Sequence, residues 1–128
     1  MKTILIVDDE HLIANMLGYA LEDQGYRVVK AGDGQHGLEL LELEHPSLVI
    51  TDFMMPQMDG MELAQAIRSR LSAAELPILL MSGAHGNLGR ATPELFTAVF
   101  DKPFEVSQMV AKVCALVGPG DSTGPDSP

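Results

Sequence analysis

The sequence predicts an α/β protein, an open parallel sheet with helices on both faces, and two observations carry that prediction. Short unbroken apolar runs, typical of strands buried on both faces, alternate with stretches whose apolar residues recur at helical spacing. Because helix candidates follow most of the strand candidates, neighbouring strands are expected to run parallel. The size agrees, since 128 residues, 46% of them hydrophobic, suffice for one domain with its own core.

The first half of the chain contains three strand candidates and two helices. The strands are the apolar runs at residues 4–7, 28–29 and 48–50. A helix with apolar residues from Leu12 to Leu21 follows the first strand, and Gly25 ends it. After a turn at residues 32–34, a second helix contains Leu38 and Leu41 and ends before Pro46, since a proline disfavours helix in the residue before it.

The second half continues the pattern, with one irregular region. A third helix has apolar residues from Met61 to Leu71, strands cover 78–81 and 99–100, and a last helix covers 106–117. Three glycines within residues 83–91 oppose a long helix there. Thr92 and Pro93 are typical of a helix start. We therefore expect a flexible loop over 83–91 and at most a short helix from Pro93, so that the fourth helix is short or irregular.

Amino-acid composition predicts the extent of the domain, its cellular compartment and its class of partner. Residues 118–128 offer no aliphatic or aromatic side chain, so we expect a domain over 1–117 and then a disordered tail or linker. The single cysteine, Cys114, cannot form an internal disulfide, and there is no membrane-length apolar run or signal-peptide pattern, so a cytoplasmic protein without a membrane partner is expected. A net charge of −10 repels nucleic acid phosphates, which argues against direct nucleic acid binding.

Polar side chains stand at the point where four of the apolar runs end: Asp8 and Asp9, Asp52, Ser82 and Lys102. Open parallel sheets bind ligands at the carboxyl ends of their strands. Two carboxylates about 4 Å apart repel by roughly 4 kcal/mol at an effective dielectric near 20, so three converging acids need a cation or protonation to coexist. Lys102 supplies one charge, and Mg²⁺, which binds carboxylate oxygens and accepts phosphate oxygens, suits the remainder.

The same residues fit phosphoryl transfer to a carboxylate. That reaction needs a nucleophile, a metal that neutralises developing charge, and donors for the phosphoryl oxygens. Asp52 is the candidate acceptor, giving an aspartyl phosphate, and Asp8 and Asp9 are candidate Mg²⁺ ligands. Lys102 would pair with one phosphoryl oxygen, and the Ser82 hydroxyl would donate to another.

Four motifs contain these residues: Val-Asp-Asp-Glu at 7–10, Thr-Asp-Phe-Met-Met-Pro-Gln-Met-Asp-Gly at 51–60, Ser82, and Lys-Pro-Phe at 102–104. Together they resemble the receiver domain of bacterial response regulators, over about residues 3–117. The resemblance implies a flavodoxin-like fold with strand order 2-1-3-4-5. It also implies signal transduction in a two-component phosphorelay, in which a histidine kinase or histidine phosphotransfer protein phosphorylates Asp52.

The resemblance also implies a ligand set and one backbone feature. Mg²⁺ would be bound directly by Asp9, Asp52 and the Met54 backbone carbonyl, and by Asp8 mainly through water. The peptide between Lys102 and Pro103 would be cis.

One position departs from the family pattern. Receivers usually carry Tyr or Phe three positions before the lysine, as a switch that follows the phosphorylated site, whereas this chain has Val99 there and Phe100 one place later. We interpret Phe100 as a buried strand residue, with a register shift of the short strand as the alternative. We hypothesise that ordering of the loop over 83–91 carries the signal instead.

The predicted function is a phosphorylated switch that changes binding to a downstream protein target, as a monomer or weak dimer, and that is not a turnover enzyme. One alternative is a Mg²⁺-dependent phosphatase resembling the haloacid dehalogenase family, but that family needs an acid two residues after the nucleophile, where Met54 stands. A second alternative is a receiver-like binding module that works without phosphorylation.

Overall fold

The computed structural model describes residues 2–120 and contains one five-stranded parallel sheet. Its strands are β1 (Thr3–Val7), β2 (Arg27–Ala31), β3 (Leu48–Asp52), β4 (Ile78–Ser82) and β5 (Ala98–Asp101). Their order across the sheet is β2-β1-β3-β4-β5. The predicted flavodoxin-like sheet and its strand order are therefore confirmed.

Five helices cover the two faces of this sheet: α1 (His11–Asp23), α2 (Gly34–Glu44), α3 (Gly60–Arg68), α4 (Gly86–Arg90) and α5 (Val106–Val117). Successive residues of β1 and β4 alternate between two hydrophobic cores. One core packs under α1 and α5 and includes Ile4 and Met81, while the other packs under α2 and α3 and includes Leu5 and Leu80. Burial on both faces explains why these strands are unbroken apolar runs.

Local signals set the helix boundaries close to where the sequence predicts them. Gly25, with φ of 90°, follows α1, and His45, in the left-handed region with φ of 46°, ends α2. A capping box between Asp59 and Glu62 starts α3. This helix ends at Arg68, so Leu71, the last residue of the predicted apolar pattern, lies outside it. The Arg68 guanidinium donates to backbone carbonyls of the turns that follow the helix.

The prediction for the region before β5 is correct in length and wrong in position. The fourth helix is short, but it spans Gly86–Arg90, inside the stretch expected to be a loop. A side chain on Gly89 would place its Cβ 2.6 Å from the Leu80 side chain, so this glycine lets α4 lie close to the sheet. Thr92 does not start a helix; its hydroxyl donates to the carbonyls of Leu88 and Gly89 at the end of α4.

The register of β5 places Val99 and Phe100 on opposite faces of the sheet. Val99 pairs with Leu80 and packs in the core under α2 and α3, while Phe100 pairs with Met81 and packs on the α1 and α5 side. The Phe100 ring meets the edge of Phe104, with centroids 5.9 Å apart. Phe100 is thus a partly buried strand residue, and no register shift brings it to the position of Val99.

Residues 118–119, which follow α5, contact the residues that precede β1 and β2. The Tyr26 hydroxyl donates to the Gly118 carbonyl at 2.5 Å, and the Lys2 ammonium donates to the Pro119 carbonyl at 3.4 Å. The rest of the predicted tail, 121–128, lies outside the described residues. None of the helices in the described part of the chain has the length and apolar character needed to cross a membrane.

Candidate phosphoryl-acceptor site

The carboxyl ends of β1, β3 and β5 bring acidic and basic side chains together. Lys102, which follows β5, places its Nζ 2.8 Å from Asp52 Oδ1 at the end of β3. The same ammonium lies 3.3 Å from Glu10 Oε1, in the segment between β1 and α1. The Lys102–Pro103 peptide is cis, as the resemblance implies. The ion pair that the sequence predicts between Lys102 and the strand-end acids is therefore present.

The two strand-end acids are almost fully removed from solvent. Asp8 is 1% exposed and Asp52 is 5% exposed. Asp8 Oδ1 accepts a hydrogen bond from the Glu10 backbone N–H at 2.9 Å, but Asp8 Oδ2 is buried and has no hydrogen-bond partner within residues 2–120. A buried carboxylate oxygen without a partner is costly, so this site favours a cation or a proton beside Asp8.

Burial dominates the electrostatics of this group. It raises the pKa of Asp8 from 3.8 to about 6; the Glu10 N–H opposes the shift, and the negative charge of Asp52 adds to it. Burial also raises the pKa of Asp52, although the hydrogen bond and charge of Lys102 partly compensate. Burial lowers the pKa of Lys102, but contact with Asp52 outweighs this, and the net shift is upward.

A divalent cation fits the acidic side of the site. Asp8, Glu10 and Asp52 each place a carboxylate oxygen within 4.8 Å of those of the other two. The clustered oxygens, together with the unpartnered Asp8 oxygen, suit a hard ion such as Mg²⁺. Asp9 is exposed and outside this trio, although its negative charge is near enough to raise the pKa of Asp52. Met54, whose backbone carbonyl is a predicted ligand, has a largely exposed side chain.

Glu10 directs its side chain to Lys102. It is the residue before α1, but its side chain makes no capping hydrogen bond. Its carboxylate instead accepts a hydrogen bond from Lys102. The sequence pattern gave no signal for this pair, because the direction of an exposed glutamate depends on which cation the fold brings near.

Ser82 completes the set at the end of β4. Its side chain is buried, with 1% exposed. Its Oγ accepts a hydrogen bond from the His85 backbone N–H at 2.7 Å, and its carbonyl accepts one from the Lys102 N–H at 2.8 Å. The second bond joins the end of β4 to Lys102, the residue that pairs with Asp52. The positions of Ser82 and Lys102 are therefore coupled through a backbone hydrogen bond.

A stacked aromatic pair beside the acceptor was missed at the sequence level. The rings of Phe53 and His85 lie 4.6 Å apart with an angle of 7° between their planes. Phe53 directly follows Asp52, and His85 is three residues after Ser82. The available signal was the position of each residue just beyond neighbouring parallel strands, β3 and β4, whose ends meet at the same edge.

The loop from β3 to α3 packs tightly under the acceptor. The Gly60 N–H donates to the Phe53 carbonyl at 2.8 Å. A Cβ on Gly60 would lie 2.5 Å from the Asp52 backbone oxygen, so only glycine permits this approach. The first turn of α3 therefore supports the backbone on which Asp52 is mounted.

Comparison with known proteins identifies the family. A model of the response regulator receiver domain matches residues 4–114, most of the chain. The chain belongs to this family. Receiver domains are signalling modules of two-component systems, and they interact with histidine kinases.

Related proteins and structures agree with this assignment. The receiver is 36% identical over 119 residues to the probable transcriptional regulator ycf27 of Cyanophora paradoxa, covering 91% of this chain and 48% of that protein. It is 33% identical to the alkaline phosphatase synthesis transcriptional regulatory protein PhoP of Bacillus subtilis, covering 98% of this chain and 52% of that protein. The chain thus spans about half the length of the curated relatives it matches.

A solved structure of similar fold is the response regulator protein TrrA of Thermotoga maritima in complex with Mg²⁺ and a beryllium fluoride group. It superposes with a TM-score of 0.80 and 29% identity, covering 91% of this chain and 99% of that one. The bound Mg²⁺ and beryllium fluoride belong to the Thermotoga maritima structure.

The raised pKa of Asp8 predicts how metal-free protein responds to pH. Between the unfolded value of 3.8 and the native value of about 6, the native state binds more protons than the unfolded state. The free energy of unfolding therefore falls as pH rises through this range. We expect Asp8→Asn to raise the unfolding free energy at pH 7 without metal by about 1–3 kcal/mol, because it removes a buried unpartnered charge.

Urea unfolding at pH 5 and pH 7, with and without MgCl₂, checks this expectation. Mg²⁺ should stabilise the wild-type receiver and have little effect on Asp8→Asn. Asp23→Asn, a change at an exposed acid at the end of α1, is the matched control and should behave as wild type. An Asp8→Asn variant less stable than wild type at pH 7 without metal would contradict the account.

Proposed function

We propose that this receiver takes a phosphoryl group onto Asp52 in a Mg²⁺-dependent reaction and thereby changes its binding to a protein target. The observation that carries the proposal is the position of Lys102 Nζ, 2.8 Å from the buried Asp52 carboxylate, beside an Asp8 oxygen that has no partner in the described residues. The domain assigned to this role covers residues 1–117.

The carboxylate of Asp52 supplies the nucleophile. An oxygen of Asp52 attacks the phosphorus of the donor, a new acyl phosphate O–P bond forms, and the bond from phosphorus to the donor's leaving atom breaks, its electron pair leaving with the donor. Burial raises the pKa of Asp52, while the hydrogen bond and the charge of Lys102 favour the ionised carboxylate that attacks. The Lys102 ammonium can then form an ion pair with an oxygen of the new phosphoryl group.

Asp8, Asp9 and Asp52, with the Met54 carbonyl, are the proposed Mg²⁺ ligands, and Glu10 lies close enough to add its charge. When bound, Mg²⁺ would neutralise the charge of the acids and of the phosphoryl oxygens. The Ser82 hydroxyl is the proposed donor to a further phosphoryl oxygen. The chain's part is then to hold the acceptor, exclude bulk water and place two donors.

The surface next to the site supports a protein phosphodonor, a histidine kinase or histidine phosphotransfer protein. Helix α1 exposes Leu12, Met16 and Tyr19, which share one helical face and are 73%, 51% and 65% exposed. An apolar pocket of about 360 Å³ between α1 and the β5–α5 segment is bounded by Met16, Phe104 and Lys102. A donor protein bound to this surface would lie beside Lys102, the residue that contacts Asp52. An exposed apolar patch of this kind is typical of a protein docking surface.

The remaining parts of the proposal follow from charge and chemistry. A net charge of −10 opposes direct nucleic acid binding. Because the phosphoryl group would be held on Asp52 itself, we infer a switch in the cytoplasm rather than a turnover enzyme. Incubation with acetyl phosphate and MgCl₂, followed by intact-mass measurement, tests the proposal. One added phosphoryl group is expected, and no addition would contradict it.

Replacement of the lysine gives a graded prediction. Lys102→Gln should slow phosphoryl uptake about tenfold to a hundredfold, because a hydrogen bond to a charged group contributes about 1.5–3 kcal/mol. The initial rate of mass increase with acetyl phosphate measures the effect. Lys112→Gln, a change on α5 away from the site, is the matched control. A Lys102→Gln rate equal to that of wild type would remove Lys102 from the proposed chemistry.

A further inference from the structure

On the basis of the proposed function, we propose that His85 is a positioning residue for the reaction at Asp52. Its ring is fixed by stacking on Phe53, its backbone N–H orients the Ser82 hydroxyl, and its place before α4 connects that hydroxyl to the helix.

The hydrogen bonding of Ser82 leaves its proton free. The His85 N–H occupies an acceptor position on Ser82 Oγ at 2.7 Å. A hydroxyl can accept and also donate one hydrogen bond, and within residues 2–120 no carbonyl or side chain accepts the Ser82 proton. Ser82 lies one residue beyond Met81, which pairs with Asp52 across the sheet. Its proton is thus available to an oxygen of a group attached to Asp52.

The position of His85 depends on a rigid aromatic partner. Phe53 is 6% exposed, its N–H donates to the Met81 carbonyl at 2.9 Å, and its carbonyl accepts from Gly60. It is bonded to Asp52 through the peptide link. The parallel stack, with centroids 4.6 Å apart, therefore fixes His85 relative to the acceptor residue itself.

His85 is also where α4 begins. Gly86 is the first residue of α4, and the Leu88 N–H donates to the His85 carbonyl at 3.1 Å. If Ser82 Oγ moves toward a phosphoryl oxygen, the His85 N–H either follows it or loses its acceptor, and both change the first turn of α4. Val99 is aliphatic and packed beside Gly89, so this route needs no aromatic side chain on β5.

The ring shape, rather than the ring nitrogens, carries the proposed role. His85 Nδ1 is buried and has no hydrogen-bond partner among the residues that the structure describes. A phenylalanine at this position would keep the stack and lose no hydrogen bond to Nδ1. This makes His85→Phe the conservative variant and His85→Ala the disruptive one.

The experiment compares wild type, His85→Ala, His85→Phe and the control His45→Asn. His45 is an exposed histidine with φ of 46° after α2, a conformation that asparagine tolerates. The measured quantities are the maximal rate of uptake from acetyl phosphate, the half-saturating acetyl phosphate concentration, and the amide NMR shifts of residues 86–90 on adding beryllofluoride with Mg²⁺.

We expect His85→Ala to lower the maximal rate about threefold to tenfold, the effect of one misplaced hydrogen bond. The half-saturating acetyl phosphate concentration should be unchanged. The change in amide shifts at residues 86–90 on adding beryllofluoride with Mg²⁺ should be lost. His85→Phe should restore the rate to within about twofold and recover the shifts, because it keeps the stack.

Two results would overturn the inference. One is an Ala variant with the wild-type rate and wild-type shifts. The other is a Phe variant that behaves like Ala, because a nitrogen of the ring would then be required. Uptake by wild type with either result refutes this inference alone, whereas no uptake by wild type refutes the proposed function on which it rests.

Discussion

Asp52→Asn is expected to abolish acyl phosphorylation, with no phosphoryl group added by acetyl phosphate and MgCl₂ under conditions in which the wild-type receiver adds one. An amide cannot act as the attacking carboxylate oxygen. The fold should persist, since asparagine has nearly the same size and its carbonyl can still accept from Lys102, which lies 2.8 Å from Asp52 Oδ1. Intact-mass measurement after a fixed incubation gives the result directly.

The matched control for Asp52→Asn is Asp23→Asn, which makes the same chemical change at an exposed position of α1. It should be phosphorylated at the wild-type rate. Uptake of a phosphoryl group by Asp52→Asn at a rate close to that of wild type would place the acceptor elsewhere and would contradict the assignment of Asp52.

Removal of divalent cations has the second largest expected effect. With a chelator in place of MgCl₂, the initial rate of uptake should fall about a hundredfold or more, because a bound cation contributes several kcal/mol of charge stabilisation to such a reaction. The clustered oxygens of Asp8, Glu10 and Asp52 are the physical basis. Returning MgCl₂ in excess should restore the wild-type rate.

Sodium chloride at matched ionic strength is the control for the metal experiment, since screening alone weakens interactions between exposed charges. It should not restore the rate. A chelated sample that takes up phosphoryl groups as fast as the sample with MgCl₂ would contradict a metal-dependent site at these acids.

Much of the fold could be predicted because each layer leaves a separate mark on the sequence. Central strands buried on both faces, such as β1 and β4, must be apolar throughout, and helices covering one face must be amphipathic. The strand order came from the family resemblance, because periodicity does not say which strands are neighbours. The position of α4 was wrong, since Gly89 was interpreted as flexible when its role is close contact with Leu80.

The candidate site was predictable to the extent that it stands at strand ends. Asp52 and Lys102 follow apolar runs, and parallel strands bring such ends together. The pairing of Glu10 with Lys102 and the stack of His85 on Phe53 depend on side-chain direction. Spacing along the chain does not encode that direction, which is why these contacts needed the structure.

If Asp52 becomes an aspartyl phosphate, the modified residue can be located directly. Wild-type receiver is incubated with acetyl phosphate and MgCl₂, split into samples with and without hydroxylamine, digested, and analysed by peptide mass. We expect one phosphoryl group on the peptide that contains Asp52, and we expect hydroxylamine to remove it because it is an acyl phosphate. A hydroxylamine-stable phosphoryl group on another residue, or none at all while Mg²⁺ still stabilises the fold, would contradict it.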